Sequence, residues 1–199
     1  LNTWQTLPNM PVSITQTSAV ALGDNIYITG GTLGVTVQHF IRYNVPSNSY
    51  SILASPSSYA NSKLIHYNGS VYCFGGHRYN GNSMETSDLF QEYDTISNTW
   101  QGLTNMPFAR TKLGATIWGD YLYIFGGHTC TGGVFASYTP EDDYFVYDFA
   151  SSQWVVSSYV TPVSGAQACI AMGDTIYTTN LWKYFCAGTA PPVECGIST

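Results

Sequence analysis

Charge is scarce in this chain. Asp, Glu, Lys and Arg make up 9% of its 199 residues, against roughly 25% in an ordinary soluble domain. Six basic residues face twelve acidic ones for a net charge of -6, and no Lys or Arg cluster is present to neutralise phosphates, so nucleic acid is excluded as a partner. No apolar run approaches the ~18 residues needed to cross a bilayer, and no basic amphipathic helix offers surface attachment, which argues against membrane insertion. The chain lacks a Gly-x-Ser-x-Gly elbow, and its double glycines are not followed by a helix. Neither a hydrolase nucleophile nor a dinucleotide loop is therefore expected. Five cysteines, Cys73, Cys130, Cys169, Cys186 and Cys195, show neither metal-finger spacing nor a C-x-x-C redox pair.

What is present is repetition. Trp4, Tyr50, Trp100 and Trp154 recur at intervals of 46, 50 and 54 residues. Between them runs a second landmark: Asp24-Asn-Ile-Tyr-Ile-Thr-Gly30-Gly31, Gly69-Ser-Val-Tyr-Cys-Phe-Gly75-Gly76, Asp120-Tyr-Leu-Tyr-Ile-Phe-Gly126-Gly127 and a decayed Asp174-Thr-Ile-Tyr-Thr-Thr-Asn180. A period near 50 residues, carried by short apolar runs ending in a double glycine, marks a repeated four-stranded sheet and hence a propeller. Each period opens with a small, apolar strand suited to the crowded axis, as in the segments 16–22, 114–118 and 166–172. Gly-Asp or Asn-Gly then makes a two-residue hairpin into the Tyr-containing run. The third strand ends on Tyr43, Tyr93 or Tyr147, and a polar turn leads to the aromatic that opens the fourth.

These elements resemble the kelch repeat. The double glycine stands at Gly126-Gly127, the Tyr-Asp pair at Tyr147-Asp148 with Trp154 beyond it, and the preceding period shows Tyr93-Asp94, Trp100, Leu103, Met106 and Pro107. The likeness runs from Trp4 to about Asn180. Departures are Tyr50 in place of Trp, Asn44 in place of Asp and the lost glycines of the fourth period. The resemblance implies an all-β propeller of four four-stranded blades: about 12–55, 59–105, 109–160, and 164–187 plus 1–10, with 188–199 a Pro-containing tail. Residues 1–10 carry Trp4, Leu7 and Met10-Pro11, a fourth strand without its first three. The last period lacks that strand, so the two ends are expected to complete one blade. The competing readings are a larger propeller and a ring completed by another chain.

Low charge, abundant Asn, Ser, Thr and Tyr, and a glycosylation triplet at Asn68-Gly69-Ser70 point to an extracellular or secreted protein. The start at Leu1 suggests processing or truncation. Cys186 and Cys195 flank a Pro-rich segment that a disulfide would pin. Cys73 and Cys169 fall inside expected strands and read as buried thiols.

Function then rests on the loops. Those between second and third strands, and between fourth strand and the next first, share one face. It is expected to collect Thr32, His77, Arg78, Arg110 and His128 as a binding face. Metal binding there is not expected, because two imidazoles fall short of the usual three or four ligands. The acidic run Glu141-Asp142-Asp143 reads as a solvated loop tip rather than a calcium site. Kelch relatives include secreted copper oxidases and sugar mutarotases, but most Tyr here sit at positions the repeat dictates. The reading is a non-catalytic module without cofactor that binds a protein, a copy of itself or a glycan; the alternative is a secreted carbohydrate-active enzyme.

Overall fold

The computed structural model describes residues 3–32, 35–57, 60–80, 83–131, 137–160, 165, 168–178, 183–185 and 196–198. Every regular element among them is a β-strand. The first sheet comprises β1 (Thr15–Leu22), β2 (Asn25–Thr32), β3 (Val35–Asn44) and β4 (Ser49–Leu53), paired antiparallel in that order. The second contains β5 (Lys63–Tyr67), β6 (Ser70–Phe74), β9 (Phe90–Asp94) and β10 (Thr99–Gly102), interrupted in sequence by a hairpin of β7 (His77–Asn80) and β8 (Ser83–Thr86). The third repeats this plan. It pairs β11 (Gly114–Trp118), β12 (Tyr121–Phe125), β15 (Asp143–Asp148) and β16 (Gln153–Val160), with a hairpin of β13 (His128–Thr131) and β14 (Ser137–Pro140). The fourth joins β17 (Cys169–Met172), β18 (Thr175–Thr178), β19 (Lys183–Phe185) and β20 (Gly196–Ser198).

Register explains the repeated Tyr and Trp. Tyr43 lies directly across from Tyr50, Tyr93 from Trp100 and Tyr147 from Trp154, with ring centroids 4.9–5.1 Å apart. Cross-strand aromatic pairs of this kind stabilise a sheet by ~0.2–1 kcal/mol each beyond Ala–Ala. The residue after each Tyr holds the turn. Asp94 accepts from the Ile96 amide and the Ser97 hydroxyl, Asp148 from Ala150 and Ser151, and Asn44 from Ser47. At Asn44 the hydroxyl bond is kept, while the amide donor moves one residue on to Ser47 because position 46 is Pro and has no N–H.

The core lies between sheets. Phe74, Phe90, Leu122, Ile124, Phe145 and Tyr147 pack between the second and third, and Tyr27, Phe40, Leu64, Val71 and Tyr93 between the first and second. Indole N–H groups tie sheets together as well. Trp100 donates to the carbonyl of Ala54 and Trp154 to that of Thr104.

Closure differs from expectation. Residues 3–14 form no strand and Trp4 is fully exposed, while the outer edge of the fourth sheet is taken by Gly196–Ser198. An edge already paired offers no ladder to a second strand. A segment about ten residues downstream also closes a far shorter loop than one at the other end of the chain. The expected disulfide partners, Cys186 and Cys195, lie outside the described residues. Cys73 and Cys130 are buried, and Cys169 is partly buried. Burial against the third sheet pushes the Cys169 thiol up to about 12.

Candidate functional site

The double glycines turn the chain out of the sheet. Gly75 and Gly76 have φ of 66° and 97°, and Gly126 and Gly127 of 52° and 82°, a region that suits glycine and few other residues. A side chain at Gly75 would also stand 2.7 Å from the Arg110 carbonyl oxygen. After the turn the chain pairs again, with isolated bridges Ala60 to His77 and Thr111 to His128. The second-to-third connections are thereby drawn out into the hairpins β7–β8 and β13–β14. These contact each other, and the Tyr138 hydroxyl of one meets the Met84 sulfur of the other at 3.3 Å.

His77 and His128 occupy equivalent places at the roots of these hairpins. The His77 ring is buried, with Nδ1 3.0 Å from the Thr111 hydroxyl. His128 is partly exposed, and its buried Nδ1 has no partner. The reason lies in the repeat: the register that puts Thr111 beside His77 puts Gly165, which has no hydroxyl, against the His128 ring. Both imidazoles meet Tyr138 edge-on, with centroids 6.2 and 6.1 Å away. The Lys112 ammonium sits 3.6 Å from the centre of the Tyr138 ring, a cation–π contact. Lys112 holds φ at 52°, as Asn61 (57°) and Gln16 (54°) do at the matching positions. That left-handed backbone costs a lysine ~1–2 kcal/mol.

Burial, then the Lys112 charge, lowers the basicity of both histidines; at His128 the Glu141 carboxylate partly opposes this. Both rings are neutral near pH 7. Burial raises the Cys130 thiol and the Tyr138 phenol, so neither is an anionic nucleophile. Among the described residues no three His, Cys, Asp or Glu side chains are placed to share a metal ion. The cluster offers hydrogen bonding, aromatic faces and one cation, which suit recognition.

Arg110 departs from its expected place on the binding face. Its side chain is buried, donates to Asp143 at 2.8 Å and lies 3.7 Å from Glu141. The guanidinium rests 5.3 Å from the Phe108 ring centre. Its charge is engaged internally because Asp143 and Glu141, read from sequence as a solvated tip, fold back beneath it. Thr32 ends β2 and Arg78 lies in β7, but their side chains are outside the described part. Asn68 is exposed in the two-residue turn Asn68-Gly69, with φ of 46° and 86°. Sequence reasoning missed Tyr138, Met84 and Lys112. Aligning Gln16, Asn61 and Lys112 as one repeated position would have singled out the lysine.

The family described as the KLHDC2/KLHL20/DRC7 Kelch-repeats domain matches residues 4–189. The chain belongs to the kelch-repeat family. It is similar to Kelch-like protein 38 of Homo sapiens, 27% identical over 131 residues covering 62% of this chain and 22% of that protein. It is also similar to Beta-scruin of Limulus polyphemus, 31% identical over 125 residues covering 59% of this chain and 13% of that one. The chain thus spans less than a quarter of either relative's length. Among solved structures, one described as "Structure of YjhT" superposes with a TM-score of 0.74 at 15% identity, covering 96% of this chain and 66% of the other. That likeness establishes the propeller fold.

Proposed function

We propose that this chain is a non-catalytic extracellular module that holds a protein partner on the face carrying β7–β8 and β13–β14. The observation that carries the reading is the pair of hairpins, additional to the four-stranded repeat and fastened together at Tyr138 and Met84. Two hairpins in contact, with the partly exposed Tyr138 ring held against the Lys112 cation, give contact area at low ordering cost. Family membership supports protein binding, and the exposed Asn68 triplet and low charge support the extracellular setting. Self-association and glycan contact through the same sparsely charged surface are compatible with this chemistry.

Lys112→Gly is the cleanest test. Glycine accepts the left-handed backbone, so the variant removes the cation without straining the fold. Affinity for a partner purified from the native source is expected to fall about tenfold, near 1.4 kcal/mol, with the melting temperature unchanged or raised. Unchanged affinity would overturn the assigned face. Stoichiometric copper in native material, or turnover of a sugar substrate, would overturn the non-catalytic reading. An Asn68 peptide always unmodified, in protein retained inside cells, would overturn the setting.

A further inference from the structure

Two sulfurs on the hairpin face differ in what an oxidant can do to them. Cys130 lies directly across β13–β14 from Tyr138 and is 3% exposed, and burial raises its thiol against the opposing Lys112 charge. It stays protonated and slow toward oxidants that take the thiolate. Met84 stands partly exposed in β8, and a thioether needs no ionisation to react. Its sulfur accepts the Tyr138 hydroxyl at 3.3 Å, the bond that joins one hairpin to the other. A thioether is a weak acceptor, so this junction is held by less than the phenol can give.

The other described sulfurs supply the contrast. Cys73 is fully buried, and burial holds the Cys169 thiol up at about 12. Met106 is sealed in the core between the second and third sheets. Met10 and Met172 stand in solvent, one in the segment before β1 and the other at the end of β17, away from both hairpins. Of the four methionines, three are thus open to an oxidant. Among the described hydrogen bonds, Met84 is the one whose sulfur is tied to a donor.

We infer that Met84 is a reversible oxidation site, and that its sulfoxide fastens β7–β8 to β13–β14 more firmly than the thioether does. Hydrogen peroxide supplies the oxygen. A sulfur lone pair attacks it, the O–O bond breaks as the S–O bond forms, and the second oxygen leaves as water; sulfur loses the two electrons that peroxide gains. Two thiols reverse the step, the sulfoxide oxygen leaving as water while the thiols join in a disulfide. The sulfoxide oxygen is a full acceptor, and an O–H···O bond spans ~2.7–2.8 Å. The three rotatable bonds of Met84 let that oxygen swing off the line from sulfur to phenol and into this range. The donor is secure, because burial and then the neighbouring Cys130 keep the Tyr138 phenol protonated. Partial exposure of Met84 also leaves the new dipole in contact with water, so it escapes the penalty that a sulfoxide meets in a core. Where this face holds a partner, oxidation sets how firmly the face is assembled beforehand, and that consequence alone rests on the function proposed above.

The test uses the full chain carrying Met10→Leu and Met172→Leu, so that Met84 and the buried Met106 are its thioethers. After hydrogen peroxide, peptide mapping is expected to find one added oxygen at Met84 and none at Met106. Amide hydrogen exchange in β7–β8 and β13–β14 should slow several-fold on oxidation and recover on treatment with methionine sulfoxide reductases and a thiol. With Tyr138→Phe, which removes the donor, oxidation should quicken exchange instead. Met84→Gln places a strong acceptor there without peroxide and should slow exchange in the same strands. A Met84 still unmodified once Met10 and Met172 of the parent chain are oxidised would overturn the inference. So would exchange that quickens equally on oxidation with and without the phenol. Partner affinity is read on the same samples: slowed exchange with unchanged affinity would uphold the sulfoxide clasp and overturn the hairpin face as the binding site.

Discussion

Trp154 donates its indole N–H to the carbonyl oxygen of Thr104 across 2.9 Å, from the outer strand of the third sheet to the end of the second. Trp100, 54 residues earlier, repeats the bond by donating to the carbonyl of Ala54 at 2.7 Å. The recurrent Trp is therefore a fastener between sheets as well as a ring in the core. Trp154→Phe keeps a ring against Phe90, Phe145 and Tyr147 and loses the donor. Stability by urea titration is expected to fall by about 1 kcal/mol, with no change in slope. A loss above that of Trp154→Ala would contradict the account.

Gly75 and Gly23 both have positive φ, at 66° and 56°, yet only Gly75 is crowded; a side chain at Gly23 meets nothing within 4 Å. Gly23→Ala is expected to cost ~1–2 kcal/mol for the left-handed backbone alone. Gly75→Ala should cost a further ~1–3 kcal/mol, because the Arg110 carbonyl must move. Equal losses in thermal denaturation would show that close approach is not what the double glycine serves.

The Arg110–Asp143 pair, its arginine buried and its carboxylate partly exposed, should behave asymmetrically. Arg110→Ala leaves the Asp143 carboxylate without its charged donor and is expected to cost about 1.5–3 kcal/mol, whereas Arg110→Met with Asp143→Leu should recover most of the loss. A double-mutant cycle measures the coupling, and purely additive losses would refute it.

His77 titrates below its unfolded value, mainly through burial. The folded state therefore binds fewer protons than the unfolded one as pH falls below about 6.5, and stability declines from there until pH passes the folded pKa, where the decline levels off. His77→Gln, which retains a polar partner for Thr111, is expected to flatten the stability curve between about pH 7 and 5. A curve as steep as wild type would assign the pH dependence elsewhere.

The sequence by itself determined the sheets. Alternating and continuous apolar runs, two-residue turns at Gly23-Asp24 and Asn68-Gly69, and the Tyr–Trp spacing are local or nearest-neighbour constraints that each repeat restates, so four periods over-specify strand order and register. Burial of Cys73 in a strand was legible for the same reason. Tertiary structure decided what depends on contacts between repeats. Arg110 reads as a surface charge until Asp143, 33 residues away, folds beneath it. Tyr138 and Lys112 become one site only because two hairpins rise side by side. The outer strand of the fourth sheet could be assigned to residues 1–10 by pattern, since pattern fixes the kind of strand an edge accepts. Which segment pairs there depends on chain connectivity and on the edge's other suitors, and in this fold Gly196–Ser198 holds it while Trp4 stands in solvent.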